Sequence, residues 1–261
     1  MFVHRTEPLG ILYIAAVLEA DGHEVEVIDA WARCLSLEEV LALVLEGAWD
    51  LVGFNTLTSN GEWVYRICKR IKEVQPETRI LLGNVHASVY ASFFLEQGCC
   101  DFVAHGEAEY IVRDLCRALE RNTSVTDVGG LSLLVDGAPK RTGQGSVVQN
   151  LDELPIPSRH LVDMRLYTSR NFVTKINADG AYRVMLATRG CPFACTFCVV
   201  NADRNYRRRS PRLVVDEMEL LVQEYDASFI EFLDPLFTVN KEHIIEVCKQ
   251  NVDRRIQVEW Q

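Results

Sequence analysis

The chain has 261 residues, with 27 Lys and Arg against 37 Asp and Glu and a net charge of -10. Its pI is about 5.1 and its mean hydropathy +0.01. That balance disfavours a general nucleic-acid binder, which needs a basic surface, and no apolar run reaches the roughly 20 residues of a membrane span. At 48% hydrophobic residues the chain can bury a sizeable core, in one large or two small domains. Met1-Phe2-Val3-His4-Arg5 lacks the apolar centre of a signal peptide, so the expected location is cytoplasmic. Nine cysteines in such a compartment point to buried thiols or metal ligands rather than disulfides.

Residues 11–20 form an apolar helix closed by Asp21-Gly22-His23, a helix-stop signal. Val25-Glu26-Val27-Ile28-Asp29 reads as a strand. A second helix is expected over 37–47, with Ser36 as its cap and Glu38 and Glu39 in its first turn. Strands at 51–54, 79–83 and 101–104 then alternate with helices at 63–74, 89–97 and 110–120. Short apolar strands alternating with helices predict an α/β fold, a Rossmann-like doubly wound parallel sheet covered on both faces. Ligands of such sheets lie outside the carboxyl ends of the strands. Those ends carry Thr56 and Thr58, Gly83 and His86, and Gly106. His86 suits either ligand contact or a loop hydrogen bond. The chain opens almost directly on its first helix, where such sheets begin with a strand. The expectation is a truncated start and a strand-sized gap in the sheet.

Pro8-Leu9-Gly10-Ile11-Leu12-Tyr13, Gly22-His23-Glu24-Val25, Gly83-Asn84-Val85-His86-Ala87-Ser88, and Asp101-Phe102-Val103 with Gly106-Glu107-Ala108-Glu109 follow one another in this order. In them the first 120 residues or so resemble the cobalamin-binding domain at the N-terminus of many radical S-adenosylmethionine proteins. The resemblance implies cobalamin as a cofactor, held near Gly10, Thr56, Thr58, Gly83, His86 and Gly106. Two departures stand out. Asn84 occupies the place of a customary second glycine, and the Asp-x-His-x-x-Gly pattern that supplies a lower cobalt ligand elsewhere is absent. His4 has the wrong spacing to Gly10 to replace it.

Residues 126–180 read as a connector. Gly129-Gly130, Asp136-Gly137 and Gly143-Gln144-Gly145 punctuate two short runs, 131–135 and 146–149, expected to pair as a hairpin. In Leu154-Pro155-Ile156-Pro157-Ser158-Arg159 each proline biases its predecessor to extended structure. This stretch reads as a passive tether. The expected domains are therefore 1–125, the connector 126–180, and 181–261.

In the last segment, strands at 182–188, 229–234 and 256–260 alternate with helices at 211–225 and 241–252. Ser210 and Pro211 mark a helix start. This is the opening half of a parallel (β/α) barrel, whose sites lie at the carboxyl ends of the strands. Both Asp234 and Cys191-Pro192-Phe193-Ala194-Cys195-Thr196-Phe197-Cys198 fall at such ends. Thiolates ligate zinc and iron–sulfur clusters. Three local thiols leave a fourth position to a distant residue or to a non-protein ligand. Arg204-Asn205-Tyr206-Arg207-Arg208-Arg209 is a basic run in an acidic chain. It suits either a solvated face or a carboxylate or other anion, which an arginine fork grips well.

The Cys-x3-Cys-x2-Cys spacing of Cys191, Cys195 and Cys198, with Phe197 before the last, resembles the radical S-adenosylmethionine superfamily. The resemblance implies a [4Fe-4S] cluster on the three cysteines. It implies S-adenosyl-L-methionine on the open iron, Phe197 near the adenine, and Asp234 and Arg207 as further contacts to that cofactor. It also implies an external electron donor of flavodoxin or ferredoxin type, and a small-molecule substrate methylated or rearranged by radical chemistry. The branch holding hopanoid methylases and the anaerobic porphyrin cyclase shares this layout. Asp234-Pro235 stands where relatives often have two acidic residues. The alternatives are a radical enzyme without cobalamin and an inactive fragment that lacks the substrate half of its barrel.

Overall fold

Helix α3 (Gly61–Val74) shows how the first core is assembled. Val64, Ile67, Cys68 and Ile71 fall on one helical stripe, and all four are buried. They pack on Ile80 and Leu82 of the strand that follows. In the computed structural model, which describes residues 5–167, 181–198 and 204–261, this pattern recurs through two compact units. One comprises Val17–Val148; the other comprises Met1–Ala16 and Gln149–Gln261. Helix α1 (Leu9–Ala20) is divided between them.

In the first unit, β1 (Leu51–Asn55), β2 (Arg79–Gly83) and β3 (Phe102–Ala104) pair in parallel. Helix α2 (Leu37–Glu46) starts at a reciprocal cap, in which Ser36 accepts from the Glu39 N–H and Glu39 accepts from the Ser36 N–H. Helix α6 (Glu109–Glu120) buries Ile111, Val112, Leu115 and Ala118. Asp101 accepts from the Ile80 N–H at 2.7 Å and pairs with Lys72 at 2.7 Å. It thereby joins α3 to the start of β2. The α/β class and the parallel sheet are as the sequence implies.

Four expectations change. Residues 25–29 form no strand, although Ile28 packs on the core. A strand needs a paired neighbour, and no strand among the described residues precedes α1 to supply one. The helix expected at 89–97 starts earlier and breaks at Tyr90, giving α4 (Asn84–Val89) and α5 (Ala91–Glu96). The hairpin pairs β4 (Leu131–Val135) with β5 (Ala138–Arg141) rather than with residues 146–149. Its turn is Asp136-Gly137, with φ of 51° and 79°, the left-handed pair that a two-residue hairpin turn requires. Pro139 disguised the second strand, but proline is tolerated at a sheet edge. β4 also pairs antiparallel with β3. Among the described residues the sheet is therefore mixed and five-stranded, in the order β1-β2-β3-β4-β5.

In the other unit, β6 (Ala181–Met185), β9 (Ala227–Phe232) and β10 (Glu259–Trp260) pair in parallel, in chain order. α7 (Pro211–Tyr225) and α8 (Lys241–Asp253) form the intervening crossovers. β10 is shorter than the sequence implied, although Ile256 and Val258 still pack on the core. A two-stranded ladder joins β7 (Thr188–Arg189) to β8 (Arg207–Arg208).

The proline-rich stretch of the connector is not a passive tether at Arg159. Arg159 is fully buried and pairs with Glu7 at 2.7 Å and with Glu217 of α7 at 2.9 Å. Glu217 also pairs with Arg209. Glu7 accepts from the Val184 N–H at 3.0 Å, and Arg159 donates to the Val184 carbonyl at 2.8 Å. Burial pushes the Glu217 carboxyl up, but Arg159 and Arg209 more than offset it and hold it below its ordinary value.

Arg159→Met is expected to lower stability by about 3–5 kcal/mol in urea unfolding at neutral pH, because it strands buried carboxylates. Glu7→Gln with Arg159→Met removes one charge of each sign and is expected to recover most of that loss. Because the folded Glu217 value is depressed, its contribution is present above the unfolded carboxylate value and fades as pH falls through the folded one. Equal losses in the single and double variants, or no fading in acid, would contradict this account.

Candidate functional site

At the carboxyl ends of β1–β3, a polar turn follows β1. Thr56 is buried and donates its N–H to the Gly83 carbonyl at 2.9 Å. Asn60 accepts from the Leu57 N–H at 2.7 Å and donates to the Asn55 carbonyl at 3.0 Å. Thr58 lies exposed in this turn. Asn55 and Asn84 bond to each other at 2.8 Å across the strand ends. Asn84 has φ 76°, a conformation that asparagine tolerates better than most residues. This accounts for an asparagine where a glycine is customary.

His86 lies on α4 rather than in a loop, with its ring 4.7 Å from that of Tyr90 and 5.9 Å from that of Phe94. A Cβ added at Gly61 would lie 2.6 Å from its Nε2, so the imidazole rests on the start of α3. A Cβ added at Gly83 or Gly106 would meet no atom within 4 Å. Leu57 and Val85 are exposed beside these ends. Thr56, Gly83 and His86 thus belong to one neighbourhood, and Gly106 follows β3. Gly10 lies on α1 in the other unit, and His4 falls outside the described residues. His105, next to Gly106, bonds to Ser132 at 2.8 Å, and burial and Arg141 lower its pKa.

In the other unit the cysteine segment leaves β7 and returns as β8. Cys191 and Cys198 are half-buried, Cys195 is exposed, and none of the three is in a disulfide. The Cys198 N–H donates to the Cys195 carbonyl at 3.1 Å. The donor chemistry fits a soft metal centre. Among the described residues, however, no three Cys, His, Asp or Glu side chains are gathered as a ready metal-holding group. Phe197 is 89% exposed, which leaves its ring open to a ligand.

Asp234, beyond the end of β9, accepts from the Ala187 N–H at 3.1 Å through Oδ2. Its buried Oδ1 has no hydrogen-bond partner among the described residues. Burial raises its carboxyl pKa, opposed by Thr188 and by backbone N–H groups. The basic run is not one solvated face. Arg207 and Arg209 are buried, whereas Arg204 and Arg208 are exposed. Arg207 donates to the Asn205 carbonyl at 3.0 Å.

Sequence reasoning missed Glu7, Arg159 and Glu217. One signal was available. Glu217 falls on the stripe of Val214, Met218 and Leu221, so a charge stands among core positions.

With this geometry in hand, residues 2–116 match the family described as "B12 binding domain". Over 257 residues the chain is 29% identical to an uncharacterized methyltransferase, PH0819, of Pyrococcus horikoshii, covering 97% of this chain and 54% of that protein. Over 258 residues it is 29% identical to the anaerobic magnesium-protoporphyrin IX monomethyl ester cyclase of Rubrivivax gelatinosus, covering 97% and 46%. The cobalamin-dependent S-adenosylmethionine radical enzyme OxsB, solved with aqua-cobalamin and S-adenosylmethionine bound, superposes with a TM-score of 0.83 at 19% identity. It covers 98% of this chain and 36% of that one. The chain thus resembles cobalamin-binding-domain radical S-adenosylmethionine proteins in sequence and fold. It spans about half the length of the curated relatives it matches. No helix among the described residues is long and apolar enough to cross a membrane.

The raised Asp234 carboxyl gives a signed prediction. Between the unfolded value and the raised folded one, the folded state holds the extra proton, so stability falls as pH rises. Asp234→Asn removes that penalty while keeping an oxygen for the Ala187 N–H. Its melting temperature relative to wild type is expected to rise as pH climbs from the unfolded carboxylate value through the raised folded one, and then to level off. A difference independent of pH would refute the assignment.

Proposed function

We propose that this chain belongs to an enzyme that cleaves S-adenosyl-L-methionine reductively and uses cobalamin as a second cofactor, for methyl transfer or rearrangement on a small molecule. The observation that carries this reading is a set of three cysteines outside any disulfide at the carboxyl edge of a parallel sheet in barrel order, in a chain whose residues 2–116 match the B12-binding family. Cys191, Cys195 and Cys198 would hold a [4Fe-4S] cluster, which when bound supplies the electron for sulfonium cleavage. The thiols need not be gathered beforehand, because metal binding itself orders its ligands.

The chain's own residues provide the surroundings. Phe197 offers an uncovered aromatic face for the adenine. Asp234 offers a buried oxygen with no other hydrogen bond among the described residues, suited to the ammonium of S-adenosylmethionine. Arg207 stiffens the returning strand, and its guanidinium is suited to the carboxylate. In the first unit, the bare backbone at Gly83 and Gly106 and the hydroxyls of Thr56 and Thr58 suit a large amide-bearing ring. His86, packed on Gly61, forms the floor of that neighbourhood. Each turnover needs an electron from outside, so a flavodoxin- or ferredoxin-type donor completes the scheme.

Anaerobic reconstitution of the chain is expected to give iron and sulfide at about four each per chain. Both are lost when Cys191, Cys195 and Cys198 are all replaced by Ala. Zinc as the sole metal would overturn the cluster assignment. Cobalamin is expected to co-elute with the wild-type chain in gel filtration and to be lost in Gly83→Val. A Cβ at this position meets no protein atom within 4 Å, so stability should stay within about 0.5 kcal/mol. Retention of cobalamin by Gly83→Val would remove β2's end from the site.

A further inference from the structure

The cysteine segment is anchored from below at both of its ends. On entry, the Ala187 N–H donates to Asp234 and the Ala187 carbonyl accepts from the Arg209 N–H at 2.8 Å. On exit, Thr188 and Arg189 pair with Arg208 and Arg207. The Arg209 side chain then turns inward. Its Nη1 donates to the Leu186 carbonyl at 3.2 Å and to the Glu217 carboxylate, and its Nη2 reaches the Leu213 carbonyl at 3.4 Å. The Arg209 carbonyl is bonded to His243 of α8 at 2.8 Å. One residue therefore touches the strand before the cysteines, the helix after them and, through its backbone, the next helix. Only 5% of Arg209 is exposed, so it is out of reach of solvent anions.

We propose that Arg209, held by Glu217, is a positioning residue that sets the separation of the two ends, at Arg189 and Arg207, of the loop that carries Cys191, Cys195 and Cys198, and thereby the geometry in which these thiols meet a metal centre. The inference rests on the cluster assignment proposed above, but concerns residues that touch neither cluster nor cofactor. Glu217 fixes the guanidinium; the guanidinium fixes Leu186 relative to Leu213; the β7–β8 ladder transmits that spacing to the thiols.

The charges permit a clean test. Glu7, Arg159, Glu217 and Arg209 carry two positive and two negative charges. Arg209→Met with Glu217→Gln removes one of each and leaves the Glu7–Arg159 pair intact. Replacement of a buried pair by neutral residues of similar volume is often tolerated. Arg209→Lys is the second variant. It keeps a charge opposite Glu217 but has no planar fork to reach Leu186 and Leu213 together.

In the metal-free full chain, amide exchange over 186–190 and 206–210 is expected to quicken at least ten-fold in both variants, with β9 and the centre of α7 unchanged. After anaerobic reconstitution, iron and sulfide content is expected to fall several-fold, and the electron paramagnetic resonance line of the reduced cluster to change shape. Unchanged loop-end exchange, exchange quickened equally throughout the unit, or a wild-type line shape at full iron content would each overturn the proposal. If the double variant does not fold, the same readings on Arg209→Lys decide. Absence of iron and sulfide from the wild-type chain would instead refute the cluster reading, while the loop-end exchange would still report on Arg209.

Discussion

Arg159 has no side-chain surface in water, and it lies between two carboxylates that have none either. Taking such groups out of water costs several kcal/mol each, and the arrangement persists only because every charge meets an opposite one and the backbone takes up further hydrogen bonds. The consequence is specificity rather than bulk stability. Glu7 precedes α1, Arg159 ends the proline-rich connector, Val184 is on β6, Arg209 follows β8, and Glu217 is in the middle of α7. Apolar contacts would tolerate small slips among these segments. A chain of charges in a dry site does not, because a displaced member leaves a buried charge alone.

The cysteine segment proposed to carry the chemistry hangs from this base. A segment that is to place three thiols on a metal, as proposed above, cannot itself be packed in a core. Its order has to come from its ends. The β7–β8 ladder, the Asp234 bond to Ala187 and the Arg209 fork supply that order. Asp234 illustrates the cost of such a design. Its carboxyl is buried with one oxygen outside any hydrogen bond among the described residues, an arrangement that weakens folding while keeping an acceptor available to a cation.

Much of this was legible beforehand, for identifiable reasons. α7 matched its expected span because Ser210-Pro211 marks the start and the apolar stripe runs unbroken to Tyr225. The parallel cores were legible because buried strands are short apolar runs. Residues 25–29 have the same alternation, yet sheet structure depends on a neighbour as much as on the segment itself. β5 was hidden by Pro139, whose tolerance depends on lying at an edge, a property of topology and not of local sequence. The break at Tyr90 has no proline or glycine to announce it. Among the proposed site residues, the three cysteines were singled out by spacing alone, and the structure carries them on one segment beyond β7. Arg159 was read as part of a tether because its partners stand 152 and 58 positions away in the chain, and no local pattern encodes pairing at that range.

Glu217 marks the boundary between the two kinds of information. Periodicity alone assigns its position to the core, and chemistry alone assigns its side chain to water. The contradiction is itself a signal, because a buried carboxylate requires a cation, and two arginines meet it here. The same logic applies to Asn84, where a left-handed backbone and a non-glycine residue coincide at the end of β2. Positions at which local rules conflict are those where tertiary structure has imposed its own demand. In this chain they lie beside the cysteine segment and at the ligand-side strand ends, the two places where chemistry is expected.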